Sequence, residues 1–210
     1  MNESSTAGHK WIISNDEQGP SSDGIVPDEI DPTHDTIRQN ILWATFMNGG
    51  AGVEYYFGDN YTNSDVTCQD YRSRQNMWMY SKIAYDFFTR NKIPLVKMTT
   101  CQDSITSTVV NHNLGSVWCQ RTTFKSDIIV LYLTKGGTVD LSATSIGISR
   151  LANYEIQWFD PLIGFRDSNA TVELSLLTGT KQFTNGPTMN TGHAPYQPNE
   201  QDWVVLLRRI

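Results

Sequence analysis

The spacing of apolar residues changes once along this chain, at about Thr99, from clusters three and four apart to alternation. In the first stretch, Lys10 to Ser14 is a short β run, followed by a loop rich in Ser, Gly, Pro and Asp through Asp31. A helix is predicted next: Asp31 can cap it, Pro32 suits the first helical position, and Asp35 falls in the electropositive first turn. Ile37, Ile41, Leu42, Thr45 and Phe46 follow the spacing of one buried face, and Asn48-Gly49-Gly50 ends the helix. Ala51 to Phe57 reads as a second strand whose apolar and aromatic run suits burial on both faces, as in a parallel sheet. Thr67 to Asp70 resembles a capping box with Asp in place of Glu. The helix it opens runs through Tyr80, Ile83, Ala84, Phe87 and Phe88 and is stopped by Asn91 and Pro94. Strand then helix, twice over, is the order of β/α units in a parallel sheet.

Beyond Thr99 the predicted strands are Ser107 to His112, Ser116 to Thr123, Asp127 to Leu133, Thr138 to Leu141, Tyr154 to Phe159, Thr171 to Leu177 and Asp202 to Arg208. They are β-branched or aromatic and are separated by turns such as Lys125-Ser126 and Asp160-Pro161. So many short strands in about 110 residues predict an antiparallel β-sandwich. Trp203 to Leu207 is apolar enough to be a central strand, and Phe183 to Gln201, rich in Asn, Gly, Thr and Pro, reads as a long surface loop. The expected class is therefore α+β: two β/α units over residues 1–98, then the sandwich over residues 99–210. Two β/α units cannot close a barrel, so the first part reads as the end of something larger.

Composition narrows the partners. With 39% hydrophobic residues over 210 positions the chain can bury a sizeable core. Sixteen Lys and Arg against 22 Asp and Glu give a net charge of −6, and the basic residues form no stripe, which argues against nucleic acid. Neutral polyhydroxylated ligands or cations suit such a surface better than phosphates. No run of about 18 apolar residues occurs, so no membrane span is expected. The opening MNESSTAGHK lacks the pattern of a signal peptide, which leaves a cytosolic chain or one whose true N-terminus is missing.

Of the three cysteines, Cys68, Cys101 and Cys119, buried free thiols are the first reading and a Cys101–Cys119 disulfide the second. His9, His34, His112 and His193 show no metal spacing, and neither metal nor cofactor is expected. The acidic loop of Asp23, Asp28, Glu29, Asp31 and Asp35 has no calcium-loop pattern and reads as solvated. Sequons at Asn2, Asn60 and Asn169 would matter in a eukaryotic secretory setting.

Read together, IISNDEQGP, DPTHDTIRQNILWATFMNGGAGVEYYFG and CQDYRSRQNMWMYSKIAYDFF, followed by YEIQWFDPLIGF and QDWVVLLRR, resemble the C-terminal part of the apiosidase-like glycoside hydrolases. The resemblance runs from about Lys10 to Arg208. In that family a (β/α)8 barrel precedes a β-sandwich often called a collagen-binding domain, so the resemblance makes residues 1–98 a partial (β/α) barrel segment, its last two β/α units, and residues 99–210 that sandwich. The resemblance makes Lys10 to Asn15 the seventh barrel strand and sets Asp16-Glu17 at its C-terminal end, the face on which barrel active sites are built. It implies that Glu17 is the catalytic nucleophile, with Asp16 the less favoured position. It also implies that Glu54, after the eighth strand, hydrogen-bonds a sugar hydroxyl, with Tyr55, Tyr56 or Trp43 as an aromatic wall. Arg72 joins the candidate substrate contacts.

Glycoside hydrolysis needs two carboxyl groups, about 5 to 5.5 Å apart in a retaining enzyme. By the resemblance the acid/base belongs to strand four, outside this chain. The implied partners are a polysaccharide or oligosaccharide and the missing N-terminal barrel portion, with export from the cell typical of the relatives. Each residue also has a plainer reading. Asp16-Glu17 is a solvated loop start, Glu54 an acid paired with Arg38 or Arg72, and Trp43 and Trp78 core residues. Arg72 and Arg74 with Asp70 form a surface ion-pair network. The competing functions are a glycoside hydrolase fragment, inactive alone, and a non-catalytic carbohydrate-binding or accessory module. Nothing in the composition points to collagen.

Overall fold

The structure, a computed structural model, describes residues 6–8, 11–16, 20–65, 70–107, 117–134, 138–142, 145–146, 152–164, 166–174, 180–184 and 202–210. They fall into two compact units, Met1–Phe46 with Gly50–Trp78, and Met47–Gly49 with Met79–Ile210.

In the first unit, β1 (Ser14–Asn15) pairs in parallel with β2 (Gly52–Val53), in the register Ser14↔Gly52 and Asn15↔Val53. Ala51 N donates to Ile13 O and Glu54 N to Asn15 O, which extends the ladder one residue at each end. Both strands are shorter than their apolar runs predict, and Lys10 lies outside the described residues. Ala51 and Glu54 are exposed, so β2 is not buried on both faces. Instead the chain turns away after Val53, and Phe57 forms an antiparallel bridge with Gly24.

The first predicted helix begins later and winds differently. Asp31 Oδ1 accepts from His34 N at 3.0 Å, so this carboxylate caps the turn before the helix. His34 then takes a left-handed φ of 46°, and α1 (Asp35–Ile37) passes through a π-helical stretch, Arg38–Trp43, into α2 (Ala44–Met47). A wider turn rotates the buried face. Arg38, Gln39, Leu42 and Trp43 are the buried residues of the stretch, whereas Ile37, Ile41, Thr45 and Phe46 are only half-buried.

The second helix follows its pattern closely. Asp70 Oδ1 accepts from Arg72 N, Tyr71–Arg74 forms a 3-10 turn, and α3 (Gln75–Arg90) follows. Tyr80, Ala84, Phe87 and Phe88 are buried as spaced, with Ile83 half-buried. Asn91 Nδ2 closes the end on Phe87 O at 2.8 Å.

The second unit is built on a six-stranded antiparallel sheet, whose strands are β3 (Met98–Thr100), β5 (Val117–Thr122), β6 (Ile128–Leu133), β11 (Trp203–Arg209), β8 (Ala152–Phe159) and β9 (Arg166–Leu174) in spatial order. A three-stranded sheet joins β4 (Ile105–Ser107), β7 (Thr138–Ser142) and β10 (Thr180–Thr184), with β7 in the middle. Trp203–Leu207 is central, paired to β6 on one side and β8 on the other. Residues 108–112 and 185–201, on which parts of one predicted strand and the predicted loop fall, lie outside the described residues.

Period-two alternation sorts the six-stranded sheet into two buried faces. Cys119, Ile129, Leu131, Leu133, Trp158 and Val205 look into one core, which Leu141 of β7 enters and against which Ile105 of β4 packs. The opposite face carries Tyr132, Val204 and Phe159, with Trp118 stacked on Tyr132 at 5.5 Å. Phe87 of α3 meets Phe159 at 4.8 Å, and Arg208 donates to Asn91 O just beyond that helix. Two consecutive left-handed residues, Lys125 and Ser126, turn β5 into β6. Asp160 Oδ1 receives Leu162 N and Ile163 N, the side-chain-capped turn that Asp-Pro announces.

Cys101 and Cys119 are joined in a disulfide, with Cα atoms 5.0 Å apart, which overturns the free-thiol reading for this pair. The pairing follows from the sheet: beyond the β3–β5 ladder Cys101 N donates to Cys119 O, which brings the two backbones side by side. Gln102 continues the ladder with its side chain, donating to Val117 O and accepting from Cys119 N. Cys68 lies outside the described residues.

Two predictions follow from this unit. The disulfide closes a loop of sequence separation 18, so the Cys101→Ser/Cys119→Ser protein should lose about 3 kcal/mol in denaturant unfolding. Tyr154 is buried with its hydroxyl donating to Ser126 O at 2.8 Å, and burial pushes its pKa up to about 12, with Arg209 opposing and Asp127 adding. The fold favours the neutral phenol. This stabilisation is complete below the unfolded value of about 10 and is lost as pH rises from there through about 12. Tyr154→Phe should flatten that alkaline decline while costing about 1 to 2 kcal/mol at neutral pH.

Candidate active site

The parallel pair of the first unit fixes where chemistry can gather. Because Asn15 and Val53 are register partners, the next residues, Asp16 and Glu54, each follow the carboxyl end of one of two neighbouring strands. Both are exposed. Glu17 lies outside the described residues.

The loops that start at these acids are zipped together further out. Ile25 N donates to Tyr56 O, Gly58 N to Asp23 O, and Asn60 N to Ser22 O, an irregular antiparallel ladder around the Gly24–Phe57 bridge. The approach is close enough to require glycine on both sides. A Cβ on Gly24 would run into Tyr56 O, and one on Gly58 into the Ser22 carbonyl. Tyr56 adds a hydroxyl bond to Pro20 O at 3.0 Å, and Asn60 Nδ2 reaches Asp23 Oδ1 at 2.6 Å.

The second loop is closed on itself by Phe57 and Asp65: Phe57 N donates to Asp65 Oδ2 and Asp65 N to Phe57 O. Arg74 fills its base. This residue is fully buried, not part of a surface ion-pair network, and its guanidinium lies over the Phe57 ring at 4.5 Å. Arg74 Nε donates to Ile25 O at 3.0 Å, and Nη1 to Thr62 O, Asn63 O and Ser73 Oγ. Burial pulls its pKa below the usual guanidinium value, opposed by the charges of Asp28, Asp65 and Asp70.

In the acidic loop that reads as solvated, Glu29 is exposed and the Asp35 side chain 61% exposed, while Asp23, Asp28, Asp31 and Asp35 also take bonds within the fold. Asp28 Oδ1 meets His34 Nε2 at 2.7 Å and its Oδ2 caps α3 through Asn76 N, while Asp35 pairs with Arg38 at 2.6 Å. Among the described residues no three His, Cys, Asp or Glu side chains are grouped to hold a metal ion.

The remaining sequence candidates separate into wall and rim. Tyr55 is half-buried and sets its ring edge-on to Trp78 at 5.7 Å, while Trp78 Nε1 donates to Tyr71 O. Trp43 is fully buried, as a core residue. Arg72 has a side chain 70% exposed, 3.8 Å from Asp70 and lying over the Tyr71 ring. Sequence reading gave Arg74 to a surface ion-pair network, Asp23 to a solvated acidic loop and Asn60 to a sequon, and missed both the burial of Arg74 and the Asp23–Asn60 contact. The available signal was Asp23-Gly24 and Gly58-Asp59-Asn60, turn-forming pairs placed after each of the two strands.

No protein-family model and no curated protein matches the chain. Among solved structures it is similar to a glycoside hydrolase, with a TM-score of 0.55 and 13% identity, over 83% of this chain and 36% of that one. It is also similar to a glycoside hydrolase family 5 structure from Bacteroides vulgatus, with a TM-score of 0.57, 13% identity and the same two coverages. At that identity the likeness is one of fold. The chain thus shares its fold with part of glycoside hydrolases and spans about a third of their length, 36%.

Replacing Arg74 by Met should test what holds the two loops. It leaves the Ile25, Thr62 and Asn63 carbonyls without their donor and the neighbouring aspartates without their cation. The expected loss is about 3 kcal/mol or more by chemical denaturation. A loss below about 1 kcal/mol would show that the loops hold without it.

Proposed function

We propose that this chain is the C-terminal part of a polysaccharide-acting glycoside hydrolase of the apiosidase-like kind. Residues 1–98 are the end of its (β/α)8 barrel and residues 99–210 its β-sandwich. The observation that carries the reading is the parallel register Asn15↔Val53, after which acids follow on both neighbouring strands. Carboxyl ends of parallel strands are where barrel enzymes assemble their sites. The entry of Leu141 from the three-stranded sheet into the core of the six-stranded one supports the two-layer sandwich. A disulfide supports an exported protein.

In this mechanism Glu17 attacks the anomeric carbon while a carboxylic acid from the rest of the barrel protonates the leaving oxygen. The two lie about 5 to 5.5 Å apart if configuration is retained. Glu54 hydrogen-bonds a sugar hydroxyl, and Tyr55, held edge-on by Trp78, offers a ring to sugar C–H groups. Tyr56 and Arg72 complete the contacts. Residues 1–210 alone supply one catalytic carboxyl and are inactive as a hydrolase.

The experiment is a substitution in a polypeptide carrying the complete barrel. Glu17→Gln should lower kcat about a thousandfold or more with KM little changed, while Asp16→Asn stays within about tenfold of the parent. Wild-type turnover in Glu17→Gln removes it from the chemistry. Retention of the parent chain on insoluble polysaccharide, together with that result, would favour the binding-module function.

A further inference from the structure

We propose that Asp23 and Asn60, which none of the sequence motifs singles out as a pair, form with Tyr56 a subsite for two adjacent hydroxyls of a neutral sugar. The inference rests on reading the first unit as a carbohydrate-binding rim, and it adds the residues that recognise the sugar there.

The pair is built, not incidental. Asn60 Nδ2 donates to Asp23 Oδ1 at 2.6 Å across the two loops that begin at Asp16 and Glu54. The backbone on each side is locked by Gly58 N to Asp23 O and Asn60 N to Ser22 O. Two exposed side chains would lose much of their bond's worth to rotamer entropy if their backbones were mobile. Here the carriers are fixed within one ladder, and only the two side-chain torsions of each residue remain.

The bond orients both planar groups and leaves particular atoms over. Asp23 Oδ2 and Asn60 Oδ1 accept no hydrogen bond among the described residues, and Asn60 is exposed. One amide N–H is engaged with the carboxylate, so the Asn60 group presents its oxygen and its second N–H. Two acceptors left over on side chains joined by one hydrogen bond suit the two O–H donors of a vicinal diol, and the second amide N–H suits a hydroxyl lone pair. A carboxylate acceptor makes the stronger of these bonds.

The residue after Asp23 packs against an aromatic ring. Gly24 adjoins Asp23 in the chain, and a side chain there would collide with the Tyr56 ring. That ring is half-buried and fixed at its far end by the hydroxyl bond to Pro20 O. An aromatic ring against the same loop segment as a polar pair suits a molecule whose hydroxyls and C–H faces lie on different sides. Phosphates and carboxylates are excluded by the Asp23 charge.

The test is amide-resolved NMR of the 210-residue chain titrated separately with xylose, galactose and glucose. The expected result is saturable shifts of the Asn60 side-chain amide and of the Ser22–Gly24 and Gly58–Asn60 backbone with at least one sugar. Asp23→Ala and Asn60→Ala should each weaken that binding about tenfold, the equivalent of one good hydrogen bond, with the remainder of the spectrum unchanged. Shifts confined to other residues, or unaffected by both variants, overturn the subsite, as does the lack of any shift with all three sugars. Lys82→Ala, at an exposed position of α3 with no part in the site, should leave the titration unchanged, and catalysis and sugar binding are read in separate experiments. Sugar shifts at Asn60 in an enzyme whose Glu17→Gln variant still turns over would therefore sink the nucleophile assignment alone, and the opposite pair of results the subsite alone.

Discussion

A guanidinium taken out of water must have its hydration replaced by fixed acceptors, and the first unit is organised around that requirement. Ile25 O, from the loop after β1, and Thr62 O and Asn63 O, from the loop after β2, both end on Arg74. The two-residue strands supply too few backbone bonds to set the course of loops this long. One side chain does so by gathering carbonyls from both, with Phe57 beneath it and Asp28, Asp65 and Asp70 balancing its charge. The close glycine contact of Gly24 and Gly58 then follows, because two backbones drawn toward one cation have no room for side chains between them.

The second unit satisfies the same accounting by other means. Its central strands, β6 and β11, are apolar on both faces, so neither face can be left to water. Leu141 and Ile105 close one side and Phe87 the other. At the end of β11 Asp202 is fully buried and accepts from Tyr132 at 2.6 Å. That bond ties a carboxylate to the stacked ring that covers Trp118.

Where local periodicity and burial agree, the elements could be read from the residues. Asp127 to Leu133 and Trp203 to Leu207 are runs too apolar for anything but central strands, and Lys125-Ser126 and Asp160-Pro161 are turns by their own backbone and side-chain chemistry. Tyr80, Ala84, Phe87 and Phe88 likewise declare α3. The failures share a cause. Ala51 to Phe57 reads as one strand, yet Phe57 is claimed by Gly24 and Asp65, partners distant in sequence. Arg74 reads as a surface charge, and it is buried by Ile25, Thr62 and Asn63, partners that no local pattern announces. The disulfide required knowing that β3 and β5 are neighbours. Of the candidate site, the order of the acids after two strands was legible. The Asp23–Asn60 contact spans 37 residues and was not.

The placement of β11 has a temporal consequence. It is the latest of the described strands in sequence and the one on which the six-stranded sheet is centred. β5 and β6 can form their hairpin as soon as they leave the ribosome, but β6 and β8 have no shared neighbour until Trp203–Arg209 has been synthesised. Tyr132 waits for Asp202 across 70 residues. Contacts of such separation close slowly, and during the wait the run Ile128–Leu133 offers an unpaired apolar edge. Closure of the six-stranded sheet thus waits for its central strand, and a nascent chain stalled before Trp203 keeps that apolar edge open.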